Sequence, residues 1–372
     1  MPGAATAEAI VAQAPGARCL FVTTPRKAER QCLPALAAFE VAEVPSTPWR
    51  GMAQKVRLPD RLLRAAVRLL GLMMSFRPHV VVGLGGANSI LPLLLARLLG
   101  VRTMVLESNA VPGQAVRLLA PLTDCVVLQW AQAEVGLSAK RTLVAGNPVR
   151  ARLFASDRQT ARRRLGVSPD VLTALVLGGS QGARPLNAAL FGALEMLRAR
   201  GVGLQVVHLT GVDHLPGALE RLESGRLGRY RPIGFLDSME DAYAAADFVV
   251  ARAGGSTLAE LTALGLPAIL VPYPLAAGGH QQANVAVLAD AGAALVIKQA
   301  ELTARGLAAA LATLAEDSSL RLRMAAAACR LGRPRAAFDV AAEVMALAGF
   351  EQAQQHPTPA QERQLDRFSQ AA

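Results

Sequence analysis

Short runs of aliphatic and β-branched residues alternate along this chain with longer stretches that carry apolar residues at helical spacing. CLFVTT (19–24), VVV (80–82), TMVLE (103–107), CVVLQ (125–129) and TLVAG (142–146) come first. After a break the rhythm resumes with LTALVLGG (172–179), LQVVHLTG (204–211), DFVVARAG (247–254), PAILVPY (267–273) and ALVIK (294–298). Strands that are apolar on both faces suit a parallel sheet covered by helices on both sides. Their alternation with helical patterns is the rhythm of βαβ units. The pattern predicts an α/β protein of two domains, 1–150 and 151–347, joined near 148–160. Residues 348–372 read as a mobile tail, because the stretch from Gln352 is rich in Gln, Pro and charge.

A length of 372 residues suits two such domains, each large enough to bury its own core. With 52% hydrophobic and 18% charged residues the chain is not a disordered one. Residues 78–96 carry no Asp, Glu, Lys or Arg over about the length that spans a bilayer. They read instead as a strand at Val80–Val82, a turn from Gly83 to Ser89 and a helix from Ile90 to Leu99 with Pro92 in its first turn. The opening MPGAATAEAIVAQ is not a secretory signal, having no basic stretch before an apolar one. Cys19, Cys32, Cys125 and Cys329 form no CxxC pair, so they signal neither a zinc site nor a disulfide framework, and a reducing cytosol fits.

Charge is unevenly placed. Residues 1–150 hold 17 Lys and Arg against 8 Asp and Glu, and the remainder 22 against 20. A basic first half suggests an anionic partner. Nucleic acid is disfavoured, because aromatics are only 4% and no RNA- or DNA-binding motif is present. An anionic lipid surface fits residues 55–77, where Arg61, Arg64 and Arg68 share a helix face beside Leu62, Leu63, Leu69, Leu70, Met73 and Met74. The same pattern also fits a core helix with a solvated Arg face.

Three turns carry the chemistry. Gly178-Gly179-Ser180-Gln181-Gly182-Ala183 follows a strand and opens a helix, a place where backbone N–H groups and the helix dipole can meet a phosphate. It lacks the Rossmann spacing and the Walker lysine. Arg252-Ala253-Gly254-Gly255-Ser256-Thr257-Leu258-Ala259-Glu260 repeats the arrangement, with a carboxylate one turn into the helix where it can accept from a ribose diol. His280-Gln281-Gln282-Ala283-Asn284 places amides, which both donate and accept, just beyond a strand. Each is equally a tight connection, a first-turn charge or a polar helix cap when read alone.

In order along the chain, GLGGANS (83–89), LESNAVPG (106–113), AGNPVR (145–150), GGSQGARPLN (178–187), HLTG (208–211), GFLDSMEDAYAAADFVVARAGGSTLAE (234–260) and HQQAN (280–284) resemble the MurG family. These are the transferases that convert lipid I to lipid II in peptidoglycan synthesis. The resemblance implies the GT-B fold, two Rossmann-like domains with parallel sheets facing a cleft, the second holding UDP-GlcNAc and the first meeting the acceptor. It implies inverting transfer of N-acetylglucosamine to the 4-hydroxyl of the MurNAc of lipid I, peripherally on the cytoplasmic face of the bacterial inner membrane. By the family pattern Asn109, Arg150, Ser180, Leu236, Gly255, Ser256, Thr257, Leu258, Ala259, Glu260 and Gln281 surround the donor, with Phe235 and Gln282 as further contacts. Arg150 and Ser180 would face the diphosphate, Glu260 the ribose, Phe235 and Leu236 the uracil, and Gln281 and Gln282 the sugar. No metal and no other cofactor is expected, since no Asp-x-Asp pair occurs.

The family's opening strand and GGTGGH loop, whose His is its usual general base, have no counterpart in these residues, and the sequence resumes the family pattern at Pro2-Gly3. Poor transfer or none by residues 1–372 alone is the expectation that follows. His280 is the candidate base nearest the donor motif; His79, His208, His214 and His356 read as structural. Ala87 stands where the family often has Tyr, and the spacing to Pro92 is one residue longer. Another UDP-sugar GT-B enzyme, a UDP-GlcNAc epimerase of related fold, and a non-catalytic UDP-sugar-binding paralogue remain alternatives at this point.

Overall fold

The computed structural model describes residues 2–25, 33–45, 58–178 and 182–350, which fall into two compact units. The first holds the residues up to Arg150 and those from Arg335, and the second holds Ala151–Pro334.

In the first unit, helix α1 (Pro2–Gln13) precedes strand β1 (Leu20–Thr23), which pairs in parallel with β2 (Glu40–Glu43). Helix α2 (Leu58–Phe76) leads to β3 (Val80–Gly83), α3 (Ile90–Leu98), β4 (Arg102–Glu107), α4 (Gln114–Leu119), β5 (Cys125–Leu128) and β6 (Thr142–Leu143). Strands β3-β4-β5-β6 form a second parallel sheet in that order, so the strands expected to share one sheet fall into two. An added Cβ at Gly3 would lie 2.7 Å from Leu84 Cδ1 and 3.2 Å from Phe21 Cε1, which shows α1 packed against residues at both sheets.

Strand β4 is buried on both faces, and its pleat sends alternate side chains to two different layers. Val105 joins Leu93, Val116, Leu119, Val126 and Leu128 on the side of α3 and α4. Met104 and Leu106 join Cys125 and Val127 on the other side, where they meet Val340 and Val344. Desolvation raises the Cys125 thiol to a pKa of about 11.

The second unit is one six-stranded parallel sheet. Helix α5 (Arg158–Leu165) precedes β7 (Leu172–Leu177), α6 (Arg184–Ala199), β8 (Leu204–Leu209), α7 (Leu215–Glu223) and β9 (Arg229–Ile233). Then come α8 (Met239–Ala245), β10 (Phe248–Ala251), α9 (Gly255–Leu264), β11 (Ala268–Leu270), α10 (His280–Asp290), β12 (Ala294–Val296), α11 (Ala304–Glu316) and α12 (Ser318–Leu331). The order is β12-β11-β10-β7-β8-β9. Central strands β7 and β10 are almost wholly buried, as their unbroken apolar runs require. The charged RYRPI of β9 hid it from periodicity; it is an edge strand, where a proline without an N–H is tolerated. The polar EVAE of β2, paired with β1 alone, escaped for the same reason.

The last helix, α13 (Ala336–Leu347), belongs to the first unit, not to the second domain as its sequence position suggested. Two features hold it there. Ala337 and Ala341 pack on Ala5 and Ala9 of α1, small residues that let two helices approach closely. The carboxylate of Glu343 takes a bidentate hydrogen bond from Arg141, 2.7 Å at each oxygen. The paired geometry makes this stronger than a single-contact ion pair.

Filling this contact should loosen the first unit alone. Ala341 is fully buried, so Ala341→Leu should cost about 1–3 kcal/mol by overpacking. Trp49 and Trp130, the two tryptophans, both lie in the first 150 residues. The lower urea midpoint should therefore appear in tryptophan fluorescence, and an unchanged fluorescence midpoint would contradict the packing described.

Candidate functional site

Strand order in the second unit reverses beside β7: the chain runs outward through β8 and β9, then returns to lay β10, β11 and β12 on the other side. Loops leaving the carboxyl ends of β7 and β10 therefore diverge, and the space between such loops is the usual ligand position in sheets of this kind. Both glycine turns found in the sequence sit at these two strand ends, and the 272–279 loop, which leads into α10, follows the adjacent β11.

After β7, the turn is closed by glycines that cannot be replaced. A Cβ on Gly178 would lie 2.5 Å from the Ala183 nitrogen, and Gly182 has φ +72° with no room for one beside the Thr210 carbonyl and the His214 ring. Ser180, expected at the diphosphate, lies outside the described residues with Gly179 and Gln181. The turn leans on a buried polar network. Asn187 Nδ2 donates to the Thr210 carbonyl at 3.1 Å, while its Oδ1 is 3.1 Å from His208 Nε2. His208 Nδ1 is 2.7 Å from the Tyr230 hydroxyl. Desolvation lowers the His208 pKa to about 3, so the ring is neutral.

After β10, helix α9 starts without an acidic side chain in its first turn, which leaves the positive end of its dipole uncancelled there. Helical spacing sorts the expected contact residues. Leu258 and Ala259 are buried with Leu261 and Thr262, whereas Ser256, Thr257 and Glu260 are only partly buried and share the opposite face. Gly255 is buried at the helix start. Glu260 Oε2 accepts a 2.7 Å hydrogen bond from the hydroxyl of Tyr243 in α8. Arg252 turns away, donating to the Val271 carbonyl at 3.0 Å and to Gln299 Oε1 at 2.6 Å, with its guanidinium 5.7 Å from the Tyr273 ring.

The third turn is tied to the second by one amide. Gln281 Oε1 accepts from the backbone N–H of Ala253 (3.2 Å) and of Tyr273 (2.8 Å). Two backbone donors fix which way the amide faces, so its NH₂ is the end available for donation. Asn284 Nδ2 donates to the Ala253 carbonyl at 3.1 Å, which clamps the same residue from the other side. Gln282 is exposed. His280 is partly buried, and its Nδ1 is shielded with no hydrogen-bond partner.

The remaining expected residues divide. Phe235 is 56% exposed, a bare ring on the loop before α8. Leu236 packs beside Ala161, Leu165 and Ala245. Asn109 and Arg150 lie in the first unit. Glu107 Oε1 accepts from the Asn109 backbone (2.9 Å) and side-chain amide (2.8 Å), and its Oε2 from the Gly113 N–H at 2.7 Å, which braces the 108–113 loop. Arg150 donates through Nε and Nη2 to Glu8 Oε1 at 3.2 and 2.9 Å. His79 is exposed, and its ring centroid is 5.7 Å from that of Phe350. Among the described residues no cluster of three His, Cys, Asp or Glu could hold a metal ion.

Comparison with known proteins places these motifs in a family. Residues 1–128 match the glycosyltransferase family 28 N-terminal domain, and residues 173–340 match its C-terminal domain. A UDP-N-acetylglucosamine--N-acetylmuramyl-(pentapeptide) pyrophosphoryl-undecaprenol N-acetylglucosamine transferase of Syntrophotalea carbinolica is 37% identical over 89% of this chain and 90% of its own. The protein of the same description from Desulforudis audaxviator is 36% identical over 94% and 95%. The crystal structure of Acinetobacter baumannii MurG superposes with a TM-score of 0.72 at 27% identity, covering 93% of this chain and 95% of that one.

The chain belongs to the MurG family.

Its fold is GT-B, as the resemblance implied, and the strand rhythm's expectation of parallel α/β sheets agrees with it. A UDP-N-acetylglucosamine 2-epimerase from Listeria monocytogenes shares that fold with a TM-score of 0.66, but at 16% identity the likeness reaches no further. Within this MurG-family chain, the sequence reading missed Tyr243 and Asn187, because a lone Tyr or Asn inside a helix pattern carries no signal until its partner is known.

The His208 network also sets a pH dependence. The buried ring stays neutral down to about pH 3, whereas in the unfolded chain it protonates near 6.5. Between these values the unfolded state binds the extra proton, so this contribution is whole above pH 6.5 and is lost as pH falls. From pH 7 to 5 the second unit should lose about 2 kcal/mol more in the wild type than in His208→Gln. Urea unfolding followed by circular dichroism would measure it; equal losses in the two proteins would contradict the buried neutral ring.

Proposed function

We propose that this chain transfers N-acetylglucosamine from UDP-GlcNAc, with inversion, to the 4-hydroxyl of the MurNAc of lipid I, forming lipid II. The observation that carries the reading is that the chain matches transferases of that description along nine-tenths of both sequences; glycine turns at the strand-order reversal of the second unit support it. An epimerase or a transferase with another acceptor would need only the donor turns, and the Listeria monocytogenes epimerase, at 16% identity, shares the fold alone.

In this account UDP sits at the ends of β7, β10 and β11. The ribose diol donates to Glu260, the uracil lies by Phe235 and Leu236, and the sugar meets Gln281 and Gln282. Attack by the acceptor hydroxyl on the anomeric carbon breaks the bond to the diphosphate, whose growing charge must be stabilised. The N-terminus of α9 supplies a dipole for this, a role that the family pattern extends to Ser180 and Arg150. The hydroxyl's proton needs an acceptor; His280, whose Nδ1 makes no hydrogen bond, is the candidate among these residues.

Attachment to an anionic membrane surface is part of the same proposal. Along α2, Leu63, Val67 and Met74 are exposed at spacings of four and seven, so they form one apolar stripe, with exposed Arg64 and Arg68 beside it. A core helix with a solvated Arg face would have buried these three. No helix among the described residues is long and apolar enough to cross a membrane, and a stripe of this kind lies in the interface plane.

Transfer of labelled N-acetylglucosamine from UDP-GlcNAc to purified lipid I should yield lipid II at a low rate, with His280 as the candidate base. Glu260→Ala should lower kcat/KM by about 10- to 100-fold, the loss of a charge-assisted hydrogen bond. Transfer to another acceptor with none to lipid I, or full activity without Glu260, would refute the assignment. Co-sedimentation with vesicles containing anionic phospholipid should fall at least tenfold in Leu63→Glu/Met74→Glu, since each change removes a buried apolar contact and adds repulsion; unchanged binding would remove α2 from the membrane contact.

A further inference from the structure

The side chain that governs how Glu260 faces the crevice lies on a different helix. Tyr243 of α8 is 3% exposed, and its hydroxyl is 2.7 Å from Glu260 Oε2. Burial, the negative charge of Glu260 and the hydrogen bond itself all raise the phenol's pKa well above its ordinary value. The hydroxyl therefore keeps its proton and acts as a donor toward the carboxylate.

Helix α8 is in turn fixed from behind by α5. Arg162 donates from Nε to the Ala245 carbonyl at 3.1 Å and from Nη2 to Asp247 Oδ2 at 2.8 Å, and Arg164 Nη1 lies 3.3 Å from Asp241 Oδ1. Arg162 is 2% exposed, so this anchor is shielded from solvent. A chain of contacts thus runs from two arginines through a short helix to one phenol and one carboxylate.

The last torsion of a glutamate is broad and has no sharp staggered minimum. A hydrogen bond from a rigid donor to one oxygen removes that freedom and sets the plane of the carboxylate. A carboxylate has about four acceptor positions, more than the one that Tyr243 engages. Two hydroxyls on adjacent carbons can both donate to it only if its plane is presented to them. A site that binds a hydroxyl in this way discriminates against the analogue that lacks it.

We infer that Tyr243 is a positioning residue: by holding Glu260 Oε2 it aims the carboxylate at a vicinal diol, and so sets the preference of this site for ribonucleotides over 2′-deoxyribonucleotides. This rests on the donor-site reading above and adds the element that makes the diol, rather than the diphosphate or base, the discriminating feature.

Calorimetry with UDP and 2′-deoxy-UDP on the full chain tests it. The unaltered protein should bind UDP roughly tenfold or more tighter than the deoxy compound. Tyr243→Phe, which removes one oxygen, should weaken UDP roughly five- to tenfold and leave the deoxy compound within about twofold, so that the ratio collapses. A merely structural role would weaken both ligands by the same factor and would overturn the inference. So would a ratio that survives in Tyr243→Phe but is lost in Glu260→Ala, which would leave the donor site standing. Absence of UDP binding by the unaltered protein would overturn the donor-site reading and this inference with it. If the Phe variant does not fold, fluorine NMR of 3-fluorotyrosine-labelled protein, which has three tyrosines, gives the same answer. The Tyr243 resonance should shift with UDP and not with 2′-deoxy-UDP; equal shifts would overturn the inference.

Discussion

A parallel sheet whose strand order reverses cannot cover the carboxyl ends of the two strands at the reversal, because the connections that leave them run to opposite sides. In the second unit those strands are β7 and β10, and much of what is specific to this chain follows from that. Glycine turns follow both strands because the backbone must bend sharply there, and helices α6 and α9 start there with their positive dipole ends toward the opening. Nothing about the reversal selects a ligand. It supplies a place where the N-termini of two helices converge, and the proposed discrimination lies with the side chains at the rim.

What makes the rim usable is that its side chains are held by neighbouring groups of the fold. Gln281 spends its carbonyl on two backbone N–H groups from different loops, which fixes its NH₂. Asn187 spends its amide on the Thr210 carbonyl and its oxygen on a neutral His208. Glu260 is held by Tyr243. In each case one end of a polar group satisfies a structural demand that would be costly to leave unmet, and the other end is oriented as a consequence. The same logic appears in the first unit, where Glu107 braces a loop with three N–H contacts and Arg150 is held by Glu8.

Most of the second sheet was legible because its strands are buried on both faces and so read as unbroken apolar runs. β9 and β2 were not, since an edge position tolerates charge and proline. The sequence position of α13 suggested the second domain; its alanines and Glu343 find their partners more than a hundred residues away, and nothing local encodes that choice. Among site residues, those in glycine turns and amide clusters could be read from motif order, which also carried the family. The helix periodicity of α9 separates Ser256, Thr257 and Glu260 from Leu258 and Ala259 only once its buried face is known. Tyr243, Asn187 and His208 act through spatial partners 17 to 23 residues distant, and such pairings have no single-sequence signature. For α2 the apolar residues themselves were visible, but which of them face solvent was not.

Amide hydrogen exchange with and without UDP tests the central claim most directly, because it reports where along the chain the nucleotide is felt without altering any residue. The account predicts that UDP slows exchange in two segments that are distant in sequence, 253–260 and 273–284, while β9 and α12 of the same unit exchange as before. Slowing confined to other parts of the chain, with those two segments unchanged, would contradict a donor site at the strand-order reversal.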